Sequence, residues 1–248
     1  MLEPAPLVAG VPWTGWAVVV LVALLVGFSK TALGGLGMVA AALTALVIPA
    51  KDSTGAVLLL LITGDLVAIW AYRKHADLRV IGRLLVPVLC GVALGAVFLV
   101  HVSDDVMRRT IGAILLALLV LNVWRDRLRT DTRVATVGYG GLAGFTTMVA
   151  NAGGPPMSLY LLGSRFEKWR FLGTTAWFFC TVNLIKLPVA VGVGIVRLDT
   201  VALWAVLAPV VLLGTWVGRR VIGHVDQRLF ERLVTVMVAV GALNLLLL

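Results

Sequence analysis

The sequence predicts an all-α polytopic membrane protein made of two inverted-topology repeats. Three observations predict it. Apolar types make up 60% of the 248 residues and charged types only 13%. A soluble domain of this size has too little polar surface to cover so much apolar material, whereas a bilayer is its natural solvent. The apolar residues fall into runs of spanning length, with the basic residues collected in the short loops between them. Finally, a glycine-rich break interrupts the chain twice, about half a chain apart.

The runs follow in order. Leu7–Phe28 is long enough to span, and Gly37–Ile48 is short and ends at Pro49. Ser53–Tyr72, Val80–Val100 and Val106–Trp124 are full spans. The order then repeats, with Val134–Ala150 as a span, Pro155–Leu162 as a short run, and Phe171–Ala190, Thr200–Val217 and Leu229–Leu248 as full spans. Each half thus reads as a glycine-broken first helix or re-entrant hairpin followed by three spanning helices. The repeats cover residues 1–126 and 127–248 of a single transmembrane domain. Met1–Gly10 carries Glu3 and no Lys or Arg, so the positive start of a cleavable signal is absent.

Landmarks align between the halves. Phe28 falls on Phe145, Gly55 on Gly173 and Asp65 on Asn183. After a four-residue insertion, Asp77 falls on Asp199, Pro87 on Pro209 and Asn122 on Asn244. Loops 73–83, 125–133, 164–170 and 219–232 are rich in Lys and Arg, while the two termini and loops 49–53 and 191–199 are poor. The positive-inside rule puts the rich loops in the cytoplasm and both termini outside it. Each short run must then return the chain to the face it came from, which inverts the second half. This is the plan of many secondary transporters, and it implies a multi-pass protein of a bacterial-type inner membrane.

The net charge of +9 does not point to nucleic acid, because the basic residues are loop residues of a membrane protein. Cys90 and Cys180 lie inside apolar runs and read as small buried hydrophobes. His75, His101 and His224 have no ligand spacing, so no metal or other cofactor is expected. No paired carboxylates, nucleophile with a base, or phosphate-binding loop appears, which argues against an enzyme.

The polar residues that matter gather at the breaks. The first runs Gly27-Phe-Ser-Lys-Thr-Ala-Leu-Gly-Gly-Leu-Gly37 and the second Thr146-Thr-Met-Val-Ala-Asn-Ala-Gly-Gly-Pro-Pro156. Irregular backbone at membrane depth is tolerated only beside protein or a water-filled cavity, so both breaks are expected to face one. Gly34, Gly35, Gly37, Gly153 and Gly154 would open the backbone there, and the short helices that follow would aim N–H groups and positive dipole ends at an anion. Close helix packing is the plainer use of such glycines. Lys30, beside Thr31, is a mid-membrane cation needing a partner: an anionic substrate, or Asp65. Lys186 shares a helical face with Asn183 and could act likewise or snorkel. Asn151 and Asn183 are candidates to bind substrate oxygens, with Thr174 and Trp177 on the same helix as Asn183. Asp65 could couple transport to protons or only balance Lys30.

At these segments the chain resembles the sulfite exporter TauE/SafE family, also called the TSUP family. The resemblance is carried by residues 27–37, by Asn-Ala-Gly-Gly-Pro-Pro-Met-Ser-Leu-Tyr-Leu-Leu at 151–162, and most specifically by Gly-Thr-Thr-Ala-Trp-Phe-Phe-Cys-Thr-Val-Asn-Leu-Ile-Lys-Leu-Pro at 173–188. It implies transport of sulfite, thiosulfate or an organosulfonate such as sulfoacetate. The residues it carries over are Lys30 and the glycines after it, Asn151, Gly153, Gly154, Asn183 and Lys186. The expectation is a secondary transporter for a small sulfur-containing anion, working by alternating access at a midplane site. An anion channel, or a membrane binding or assembly protein that does not transport, is the alternative.

Overall fold

The computed structural model describes residues 11, 15–31, 36–123, 132–163, 166–221 and 227–247. Among them the secondary structure is helical: α1 (Trp16–Thr31), α2 (Leu36–Val47), α3 (Ala50–Tyr72), α4 (Leu78–His101), α5 (Asp104–Val123), α6 (Arg133–Ala150), α7 (Gly154–Gly163), α8 (Lys168–Gly192), α9 (Leu198–Val221) and α10 (Gln227–Leu247). A single 3₁₀ turn, Arg73–His75, joins α3 to α4. These helices fall on the apolar runs, short ones included. The expectations for Met1–Gly10, Gly34, Gly35 and His224 lie outside the described residues.

Among the described residues, four helical stretches are long and apolar enough to cross a membrane: Ala50–His75, Leu78–His101, Trp169–Gly192 and Leu198–Arg220. Their outward faces carry large apolar side chains, among them Leu66, Trp70, Val86, Leu94 and Val206, all exposed. A soluble protein rarely leaves apolar patches so extensive, whereas lipid covers them at no cost. The chain is a polytopic α-helical membrane protein. Pro87, Pro188 and Pro209 sit inside α4, α8 and α9, as spanning helices allow when neighbours satisfy the freed carbonyls.

The bundle interlocks its two halves. α1 packs along α9 and α6 along α4; α3 crosses α8, and α5 lies on α10. Two glycines make the first two contacts possible. A Cβ on Gly27 would lie 2.1 Å from the Val211 carbonyl oxygen, and one on Gly144 would lie 2.1 Å from that of Val88. Backbone therefore meets backbone at both crossings, the close approach that small residues give membrane helices.

The ends of α3 and α8 are held in matching ways. Near the start of α3, Gly55 lies against Ile195 in the α8–α9 link, and Asp52 pairs with Arg197 at 3.1 Å. Near the start of α8, Gly173 lies against His75 and Ala76 in the α3–α4 link, and Arg170 pairs with Asp77. Asp77 also caps α4, accepting from the N–H groups of Arg79 (3.0 Å) and Val80 (3.3 Å), as an N-cap carboxylate should. The Arg170 hydrogen bond holds the Asp77 carboxyl below the usual carboxylate range.

Candidate functional site

Between the helices lies a cavity of about 110 Å³, lined from both breaks at once. Ser29 and Lys30 come from the end of α1, and Gly37 and Met38 from the start of α2. Thr147, Asn151, Ala152, Gly154, Pro155 and Ser158 come from α6, the second break and α7. Asp65 of α3 and Thr175, Phe179 and Asn183 of α8 close it. The two breaks are neighbours in space, since a Cβ on Gly37 would lie 3.7 Å from the Asn151 carbonyl oxygen. Pockets for drug-sized ligands run to ~300–1,000 Å³, so this one suits a far smaller guest.

Lys30, Asp65 and Asn183 form one polar cluster on its wall. The Lys30 ammonium donates to Asp65 Oδ1 at 2.6 Å, and Asn183 Nδ2 donates to Asp65 Oδ2 at 2.7 Å. Asp65 and Asn183 are each the sixteenth residue of their helix, Ala50 and Lys168 being the first. The pair matched in sequence thus meets directly where α3 crosses α8. The Asp65 carboxylate sets the Asn183 amide orientation, because a flipped amide would put two acceptor oxygens together. Asn183 Oδ1 is left without a hydrogen-bond partner among the described residues. A buried carbonyl in that state is costly. The ring of Phe179 faces the Lys30 ammonium, 5.1 Å from its centroid, and adds a weak cation–π attraction.

The second break is held differently. Asn151 ends α6 in the left-handed conformation, with φ 51° and ψ 27°. Asparagine tolerates that region better than most residues, and it terminates helices there as glycine does. Its backbone N–H returns to the Thr147 carbonyl at 3.1 Å. Both ends of its side-chain amide are engaged, for Nδ2 donates to the Thr54 carbonyl at 2.8 Å and Oδ1 accepts from Lys186 at 2.8 Å. Lys186, 1% exposed, also donates to the Thr147 carbonyl at 2.5 Å and to Thr147 Oγ1 at 3.2 Å. Three N–H groups therefore meet three acceptors at the negative end of the α6 dipole.

Of the residues singled out in the sequence, Lys30, Gly37, Asp65, Asn151, Gly154 and Asn183 line the cavity. Lys186 stands one residue behind it, bonded to two lining residues, Thr147 and Asn151. Gly153 is buried in the break itself; a Cβ there would lie 2.8 Å from that of Thr147. Thr174 faces away, and its Oγ1 accepts from the Asp77 N–H at 2.9 Å. Trp177 packs, half-buried, against the main apolar core. Nothing is described of the Thr31 side chain, and Gly34 and Gly35 lie outside the described residues. Thr175, next to Thr174 and open to the same hydroxyl reading, does line the cavity, and Phe179 is an addition whose signal the sequence held. They precede Asn183 by eight and four residues and so share its helical face.

The start of α7 differs from what a generic helix start would offer. Pro155 and Pro156 carry no N–H, and Met157 donates its own to Gly153 at 3.3 Å. Gly154 alone brings a backbone donor to the first three positions of α7. The dipole remains, but most of the donor row is missing.

A search of curated proteins and one of solved structures each found no match. The family model described as Sulfite exporter TauE/SafE matches residues 19–245, nearly the entire chain. By that match the chain belongs to the sulfite exporter TauE/SafE family, whose members are membrane transporters of sulfite-type anions.

Proposed function

We propose that this chain is a secondary transporter for a small sulfur-containing anion, sulfite or an organosulfonate, which binds between the two breaks. The observation that carries the reading is Lys30. It is a cation at membrane depth on the wall of a small cavity, and its carboxylate partner lines the same wall. A lysine placed there costs about 2.5–3.5 kcal/mol on insertion scales, and a purely structural ion pair would not need a cavity beside it. In the proposed cycle the anion competes with Asp65 for the Lys30 ammonium. Asn183 turns with Asp65, and hydroxyls of Ser29, Ser158 and Thr175 rotate to meet substrate oxygens. A carboxylate released from its cation inside a membrane is a natural place for a proton, so Asp65 is the candidate for proton coupling.

Alternating access would come from rocking of two inverted repeats, residues 1–126 against 127–248. Support for the repeat comes from the helix pairings. Exchanging the first five helices for the last five turns the α1–α9 contact into the α6–α4 contact and returns α3–α8 and α5–α10 to themselves. Gly55 and Gly173, matched in sequence, meet the equivalent inter-helix links. The distribution of basic loops supports an orientation with both termini outside the cytoplasm, in keeping with an inner-membrane transporter.

Reconstituted into liposomes, the protein should take up at least one of sulfite, thiosulfate, sulfoacetate or taurine, and the rate should saturate with concentration. An uptake that rises without limit would indicate a channel, and no uptake of any of these by folded protein would sink the reading. Single cysteines in loops 49–53 and 164–170 should label from opposite sides of the membrane; labelling from one side would refute the inversion.

A further inference from the structure

We propose that the cavity is built for a singly charged oxyanion and discriminates against doubly charged ones. This rests on the transport reading above and narrows its substrate class.

The argument is a charge balance. The fixed charges around the cavity are Lys30, Asp65 and Lys186; Cys180, the other titratable group close by, is a buried thiol. The segment between α1 and α2, residues 32–35, reads Ala-Leu-Gly-Gly and adds no charge. Lys30 and Asp65 cancel, being in direct contact at 2.6 Å. Among the described residues Lys186 has no carboxylate partner. In its ammonium form it donates to the carbonyl and hydroxyl of Thr147 and to the amide oxygen of Asn151, and it carries its positive charge unpaired. The helix ends nearly offset each other, because the end of α6 brings roughly −0.5 charge and the start of α7 roughly +0.5. One positive charge is left over, just behind the wall formed by Thr147 and Asn151.

A monoanion entering the cavity brings the buried charge to zero. A dianion leaves an uncompensated negative charge in a low-dielectric interior, which is strongly unfavourable. Hydrogensulfite and simple sulfonates satisfy the balance, whereas sulfate, the sulfite dianion and sulfoacetate do not. The size of the cavity, about 110 Å³, points the same way, toward a compact guest.

Methanesulfonate and sulfate are tetrahedral, close in size, and differ in charge, so they are the probes. Their binding to purified full-length protein is measured by calorimetry, in the wild type and in Asp65→Asn, which raises the fixed charge by one while keeping the side chain's shape. Wild type should bind methanesulfonate at least about tenfold more tightly than sulfate, and Asp65→Asn should move that ratio at least about tenfold toward sulfate. The change in ratio cancels the difference in hydration between the two anions. Sulfate binding to wild type as tightly as methanesulfonate would overturn the proposal, whether or not the variant folds. An unchanged ratio in a variant that still binds would do the same. Failure of wild type to bind either probe, or sulfite at any pH, would instead overturn the transport reading on which the proposal stands.

Discussion

Lys30 and Lys186 are both lysines buried among apolar helices, yet the bundle treats them oppositely. The Lys30 side chain is 12% exposed, lines the cavity, and touches one exchangeable partner, the carboxylate of Asp65. Lys186 is 1% exposed, lies behind the wall, and is tied to the last turn of α6 and to Asn151. A mid-membrane charge is therefore not by itself a substrate contact. What separates the two is the kind of partner. A side-chain carboxylate can be traded for a substrate anion, whereas a helix-terminal carbonyl cannot leave without unmaking the helix end. In the proposed transporter Lys186 would act through its charge and through Asn151, to which it is bonded at 2.8 Å.

The contrast is broken most directly at Lys186. Lys186→Met strands the Asn151 amide oxygen in an apolar interior, at about 1–3 kcal/mol, and takes one of two donors from the Thr147 carbonyl, which keeps the Asn151 N–H, at about 0.5–1.5 kcal/mol. The folded protein should lose roughly 2–4 kcal/mol, seen as a large drop in melting temperature and in monodisperse yield. A variant that melts like wild type and loses only transport would make Lys186 a substrate ligand after all. Lys30→Met should weaken both fold and binding, because it strands the buried Asp65 carboxylate. Anion affinity should fall roughly 100-fold, about 2.7 kcal/mol. Pairing it with Asp65→Asn removes the stranded carboxylate and should restore the melting temperature without restoring flux. Undiminished flux in either Lys30 variant would remove it from the site.

Much of this was legible in sequence, for physical reasons. Lipid requires long apolar runs, so the helices could be read from run length alone. Lys30, Asp65 and Asn183 stood out because polar side chains within such runs are costly. Helical spacing held a distinction that the sequence reading did not use: Thr175 and Phe179 lie on the face of Asn183, whereas Thr174 and Trp177, the expected pair, lie off it. Pro155 and Pro156 carried the signal that the second short helix would lack donors at its start, against the expectation that both short helices aim N–H groups at an anion. What could not be read were the partners. That Asn151 would turn left-handed and reach Thr54 on α3, or that Lys186 would end α6, depends on helices brought together only by the fold.

The likeness of the halves can be tested at their closest contacts. Gly27→Val and Gly144→Val each drive a side chain into a backbone carbonyl of the other half, at Val211 and Val88. Each should cost about 1–3 kcal/mol as overpacking, and the two losses, measured as thermal shifts in one detergent, should be of similar size. A silent change at one position beside a damaging one at the other would break the equivalence of the α1–α9 and α6–α4 crossings.

The smallest effect is expected at the membrane edge, where Asp77 meets Arg170. Their side chains are 15% and 53% exposed, and exposed pairs contribute only about 0–1 kcal/mol. Asp77→Asn keeps a residue that caps helices well, so it removes the charge and little else. Its pH dependence has a definite sign. The Arg170 hydrogen bond holds the Asp77 carboxyl below its usual range. The stabilisation is therefore fully present above the unfolded-state value of about 3.9 and is lost as pH falls through the lower folded value. The melting-temperature gap between wild type and Asp77→Asn should be constant from about pH 7 to pH 5, then close in stronger acid. It should also narrow in high salt, as a screened surface pair does. A gap that instead widened on acidification would mean that Asp77 supports α4 as a neutral cap, and that the clasp between the α3–α4 link and the start of α8 rests on Gly173 and Thr174 alone.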